Sequence, residues 1–203
     1  SYLFGLEPPD QPEIGRGKDP VADHMKTALE RAALPELPIL WQQKGITIWG
    51  QERHGRHRPK TMRQAFEGMF GRLHTGDRLA FMLHMPRKAS LARDLAKLRK
   101  SLRDRMGVAV SVLGGWQQLG LAGQAPKRGV GRTVVVSITA KPSSDLASPS
   151  SELTIGAIAQ ARAMAVVKVL QQYKQPAYGV SMDSPAELAK VMKALLRASE
   201  RKA

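Results

Sequence analysis

Residues 78–113 read RLAFMLHMPRKASLARDLAKLRKSLRDRMGVAVSVL, and the fold class turns on how this stretch divides. Arg78 to Met85 is an apolar run bounded by Gly76 and Pro86, the form of a strand. Ser90 is placed to cap a helix in which Leu91, Leu95, Leu98, Leu102 and Met106 recur at helical spacing, and Gly107 supplies its stop. Val108 to Leu113 follows at once as a second strand. A strand, a helix and a strand with tight connections make a βαβ unit. If its strands lie parallel in one sheet, the crossover is right-handed and the helix covers one face.

Downstream, Gly114 to Gly131 holds six glycines and reads as a long loop or loose hairpin. Thr133 to Ala140 (TVVVSITA) is the clearest strand of the chain, with Val134, Val136 and Ile138 on one face. A Ser- and Pro-rich linker over 142–151 leads to a long helix over 152–174. Its only charges are Glu152, Arg162, Lys168 and Lys174, so most of its circumference should be buried. Tyr178 to Met182 is a short strand, and Ser184-Pro-Ala-Glu187 has the capping-box form that opens a last helix with Leu188, Val191, Met192 and Leu195 facing inward.

Upstream, Pro59 opens a helix with Met62, Phe66, Met69, Phe70 and Leu73 as its core stripe, and Ile46 to Trp49 is a short strand behind Gly45. Asp19-Pro20 has the form of an N-cap with proline at the first helical position of a helix reaching about Ala33. Residues 1–18, rich in Pro and Gly, read as an irregular arm. Five strands interleaved with five helices predict an α/β (or α+β) class: one open mixed sheet of about five strands flanked by helices, in a single basic domain over 19–203. Strand order is not encoded in these local patterns.

The net charge of +15 is unevenly spread: residues 1–50 sum to −2, whereas residues 51–105 sum to +10 and 106–141 to +4. With 42% hydrophobic residues, the charge belongs to a folded object and not to a disordered basic tail. A polyanion that releases counterions on binding is the commonest physical reason to keep such a field. The absence of cysteine excludes disulfides, thiolate metal sites and cysteine nucleophiles. No stretch approaches 18 uncharged apolar residues, and Pro8, Pro9 and Pro12 stand where a signal peptide needs an apolar run, so the expectation is a cytoplasmic protein without a transmembrane segment.

Three constellations are candidates for contact with phosphates. The first is the loop Arg53, His54, Gly55, Arg56, His57, Arg58, Pro59, Lys60, with Arg63 on the helix that follows. Its guanidinium forks match phosphate oxygens with paired hydrogen bonds. Trp41 and Trp49 lie just before it, and burial in the core is favoured over stacking on a base for each. The second is Arg87 and Lys88 with Arg93, Lys97, Arg99, Lys100 and Arg103 on the outer face of the 90–106 helix, where Asp94 and Asp104 are spaced for local ion pairs. The third is QAPKRGVGR over 124–132, with Lys127, Arg128 and Arg132 beside glycines that let the backbone approach a phosphate. It lacks the Walker spacing of a P-loop. A solvated loop, helix face or hairpin tip is the plain alternative for each.

The G-V-G of this third segment, set before an apolar strand, resembles the glycine-rich loops of repeat-associated RNA-binding proteins of bacterial CRISPR systems, whose domains are built from strand, helix, strand units. The resemblance covers about ten residues and assigns no family.

The acids of the basic middle, Glu52, Glu67, Asp77, Asp94 and Asp104, form no recognisable metal motif. His54 and His57 among arginines have the chemistry that metal-independent RNA cleavage needs, although a loop histidine beside arginines is more often another phosphate contact. The leading expectation is therefore a non-catalytic nucleic-acid-binding protein that uses no cofactor and no metal. It contacts the phosphate backbone, of RNA or a single-stranded nucleic acid in preference to other DNA, through residues 53–63, 87–103 and 127–132, within a larger nucleoprotein assembly with other protein subunits. The rivals are a metal-independent ribonuclease or guide-RNA-processing subunit, and a structural component that docks an acidic protein or an anionic membrane surface.

Overall fold

The computed structural model describes residues 12–31, 33–51, 58–85, 89–114, 132–149 and 152–200, with the side chains of 12–19 and 89–91 outside the description. Six strands and five α-helices follow in the order α1 (Pro12–Glu30), β1 (Ile39–Gln43), β2 (Ile46–Trp49), α2 (Met62–Phe70), β3 (Arg78–Leu83), α3 (Ala89–Met106), β4 (Ala109–Gly114), β5 (Thr133–Ala140), α4 (Ile155–Gln172), β6 (Ala177–Met182) and α5 (Leu188–Ser199). The strands form one mixed sheet in the order β1-β2-β6-β5-β3-β4. β4, β3, β5 and β6 run parallel, and β2 is antiparallel to both β6 and β1.

The β3–α3–β4 unit moves toward one sheet edge and β5–α4–β6 toward the other. Their helices lie on opposite faces, as two crossovers of one hand must. α2, α3 and α5 cover the first face, where Phe66, Phe70, Leu98, Leu102, Val191 and Leu195 pack on Phe81, Val136, Ile138 and Val180. α1 and α4 cover the second, where Val21, Met25, Ala165, Val169 and Leu170 pack on Ala80, Met82, Val135 and Ala177. All eight residues of β5 are buried, as befits a strand with parallel neighbours on both sides and helices above and below. α4 is thus a core helix between the sheet and α1, which accounts for its scarcity of charge.

Several boundaries differ from the sequence reading. α1 begins at Pro12, so 12–18 are helical and not part of an irregular arm; Pro12 takes the first helical position and Pro20 lies inside the helix. α2 starts at Met62 instead of Pro59, because the Thr61 hydroxyl accepts from Gln64 N while Gln64 Oε1 accepts from Lys60 N at 2.8 Å. Ser90 lies within α3, which begins one residue earlier. Ser184 does cap, with its Oγ accepting from Ala186 N, and opens a single 3-10 turn before α5. β1 is a sixth strand the local pattern did not mark. It is joined to β2 by the two-residue turn Lys44-Gly45, whose φ values of 50° and 75° are those of a hairpin turn twisted in the sense of the strands. Trp49 is buried, and Trp41 packs half-buried against the core.

Candidate functional site

Among the described residues, the cations of the second constellation stand on the outer face of α3. Leu95, Leu98 and Leu102 anchor α3 in the core, which turns Arg93, Lys97, Arg99, Lys100 and Arg103 to solvent. Lys100 and Arg103 share Asp104, at 2.9 and 3.0 Å. Hydrogen bonds from Lys100 and then Arg103 hold that exposed carboxyl below the ordinary aspartate range. Arg93, Lys97 and Arg99 have no ion-pair partner among the described residues.

α5 lies beside α3 and supplies cations that sequence reasoning missed. Leu188, Val191, Leu195 and Ala198 face the core, which leaves Lys190, Lys193 and Arg197 outward at spacings of three and four. Lys190 pairs with Glu187 at 2.8 Å, whereas Lys193 and Arg197 have no ion pair among the described residues. Arg105 ties the two helices at their C-terminal ends, donating to Leu196 O at 3.1 Å and facing Glu200 at 3.4 Å. The three helices of this face carry a formal net charge of +7, against +1 for the two helices of the other.

Between α3 and α5 runs a groove of about 780 Å³. Met85, Leu98, Ala140, Leu188, Met192 and Leu196 make its apolar lining, and Asp94, Lys97, Ser101, Ser143 and Lys193 its polar one. Met85 follows β3, Ala140 ends β5 and Pro185 follows β6, so the groove opens at the carboxyl ends of the parallel strands. The chain leaves β3 toward α3 and β5 toward α4 on the opposite face, so these neighbouring strands form the point of reversal where open α/β sheets bind ligands.

The remaining predicted cations are engaged with the protein or set apart. Arg58 donates to Ile39 O at 3.0 Å and so ties its loop to β1. Arg63 pairs with Glu67 at 2.8 Å, and Lys60 is exposed at the start of α2. α2 packs against α5 on the side away from α3, so the two constellations share a face but are separated by α5. Arg132 sits at the opposite, amino end of the strands, donating to Arg72 O at 3.1 Å with Asp77 at 3.7 Å. Arg53, His54, Arg56, His57, Arg87, Lys88, Lys127 and Arg128 lie outside the described residues.

On the second face, near the carboxyl ends, the register sets Thr47, Ser181, Thr139 and the position of His84 in a row across four strands. The hydroxyls of Ser137 and Thr139 and His84 Nε2 are buried without a partner among the described residues. Burial, and then the charge of Arg162 on α4, push the His84 pKa down to about 4, so the ring is neutral near pH 7.

No protein-family model matches this chain, and no curated protein does. Among solved structures it is similar to the crystal structure of hypothetical protein TT0462 from Thermus thermophilus, with a TM-score of 0.48 and 16% sequence identity over 62% of this chain. The match spans 35% of that protein's length. Among the described residues no helix is long and apolar enough to cross a membrane.

Proposed function

We propose that this chain binds nucleic acid without catalysing a reaction on it, gripping the phosphate backbone across the α3–α5 face as part of a larger nucleoprotein assembly. The observation that carries the reading is the asymmetry of charge: +7 on the helices of one face and +1 on those of the other. Arg93, Lys97, Arg99, Lys193 and Arg197 stand exposed on that face, with no ion pair to a carboxylate among the described residues. Like charges crowded on a surface repel one another, and a polyanion relieves this while releasing its own condensed counterions.

The test is binding of labelled single-stranded RNA, single-stranded DNA and duplex DNA across a salt series. The expected result is an affinity that falls linearly on a log-log plot against salt, with a slope of roughly −0.7 to −0.9 per neutralised phosphate. Absence of binding to all three probes at low salt overturns the reading. Cleavage of the RNA probe by the native chain, abolished in a His54→Ala, His57→Ala variant that still binds, would replace it with the ribonuclease reading.

A further inference from the structure

We infer that the α3–α5 groove receives unstacked bases of a single-stranded nucleic acid, whose phosphates pass over Lys97 and Lys193; this rests on the reading above and names the strand state it implies. A face that met only phosphates would need charge and no cavity. Here the exposed cations border a concavity of about 780 Å³, inside the range of roughly 300–1,000 Å³ typical of small-molecule pockets. Its apolar lining gains by being covered with a flat aromatic ring, and the thioethers of Met85 and Met192 are well suited to contact one. A duplex keeps its bases stacked inside and offers phosphates and groove edges, so it leaves that apolar lining in water.

The polar groups of the groove fit the same ligand. Asp94, acceptor-only when ionised, matches an exocyclic amine such as cytosine N4, and the Ser101 and Ser143 hydroxyls both donate and accept. Lys97 and Lys193 come from different helices lining the same groove, and neither has an ion pair among the described residues. Arg93 and Arg99 continue the charge along α3 and Arg197 along α5. A polymer with regularly spaced negative charges uses such an extended array more fully than a single anionic headgroup does.

The experiment compares three probes of equal length at one ionic strength, in whichever sugar the salt series selects: oligo(C), an abasic oligomer with the same phosphates, and a duplex. The wild-type chain is expected to bind oligo(C) about tenfold or more tightly than the abasic oligomer, since covering the apolar lining with bases adds to what the phosphates contribute. Met85→Gln with Met192→Gln should shrink that preference to about threefold or less. Lys97→Gln with Lys193→Gln should weaken both probes alike. Equal affinity for oligo(C) and the abasic oligomer, or tighter binding of the duplex, overturns this inference while leaving the backbone reading standing. Failure of every nucleic-acid probe, or capture of an acidic amphipathic peptide in their place, overturns both. The wild-type comparison decides the matter even if the methionine variant does not fold.

Discussion

At the end of β3, burial takes the His84 imidazole out of water, and the consequence is a measurable dependence of stability on pH. In the unfolded chain the ring titrates near its ordinary value of 6.5, and in the folded chain near 4. Between those values the unfolded chain binds the proton that the folded chain refuses, so stability is full above about pH 6.5 and is lost as the pH falls toward 4. By linkage the loss approaches about 3 kcal/mol. Urea midpoints at pH 7, 5.5 and 4 should therefore converge between wild type and His84→Gln as the pH falls, if the variant starts less stable. The difference between the two pH slopes isolates this ring from the carboxylates that also titrate, and parallel slopes would refute the assignment. Asp145 carries the same sign, since its pKa too is lowered on folding. Its carboxylate accepts from the Thr154 hydroxyl and from Gly156 N, which hold its pKa down at the start of α4. Asp145→Ala should lower the thermal midpoint at pH 7, and the difference from wild type should fade as the pH drops through the carboxylate range.

At the scale of elements, the parts legible in sequence were those whose periodicity is local. β5 has the expected bounds, because its apolar run is continuous, and the β3–α3–β4 unit needed only a strand, a helical leucine stripe and a glycine stop. β1 was not legible: ILWQQ is short and half polar, and its partner is reached through Lys44-Gly45 instead of the commoner Asn-Gly or Asp-Gly turn. The cations of α3 were legible for the same reason as its stripe. Those of α5 were not singled out, because their significance depends on α5 lying beside α3, and that adjacency follows from strand order. The junction of β2 with β6 shows how tightly such adjacency is built. Trp49 lies over Gly179, where an added Cβ would stand 2.6 Å from the indole Cε3. Gly179→Ala should therefore destabilise the protein by about 1–3 kcal/mol through overpacking, read as a lower urea midpoint with an unchanged m-value. A neutral outcome would mean that the indole shifts freely.

At the scale of the whole molecule, the two faces of the sheet predict two kinds of surface variant. If Lys97 and Lys193 each neutralise a phosphate, Lys97→Glu with Lys193→Glu should reduce the magnitude of the salt slope by about 1–2. Lys26→Glu, on the helix of the opposite face, should leave it unchanged. Equal effects of both changes would point to net charge alone as the source of affinity. The sheet order also governs the timing of assembly during synthesis. β2 pairs with β6, about 130 residues later in the chain, and at roughly 5–20 residues per second that interval lasts on the order of 6–26 s. For that time the β1–β2 hairpin stands on the ribosome with one strand edge unclaimed and Ile46, Ile48 and Trp49 uncovered. A nascent-chain arrest before residue 177 should therefore leave the hairpin region open to protease and to chaperones, and release past residue 182 should close it.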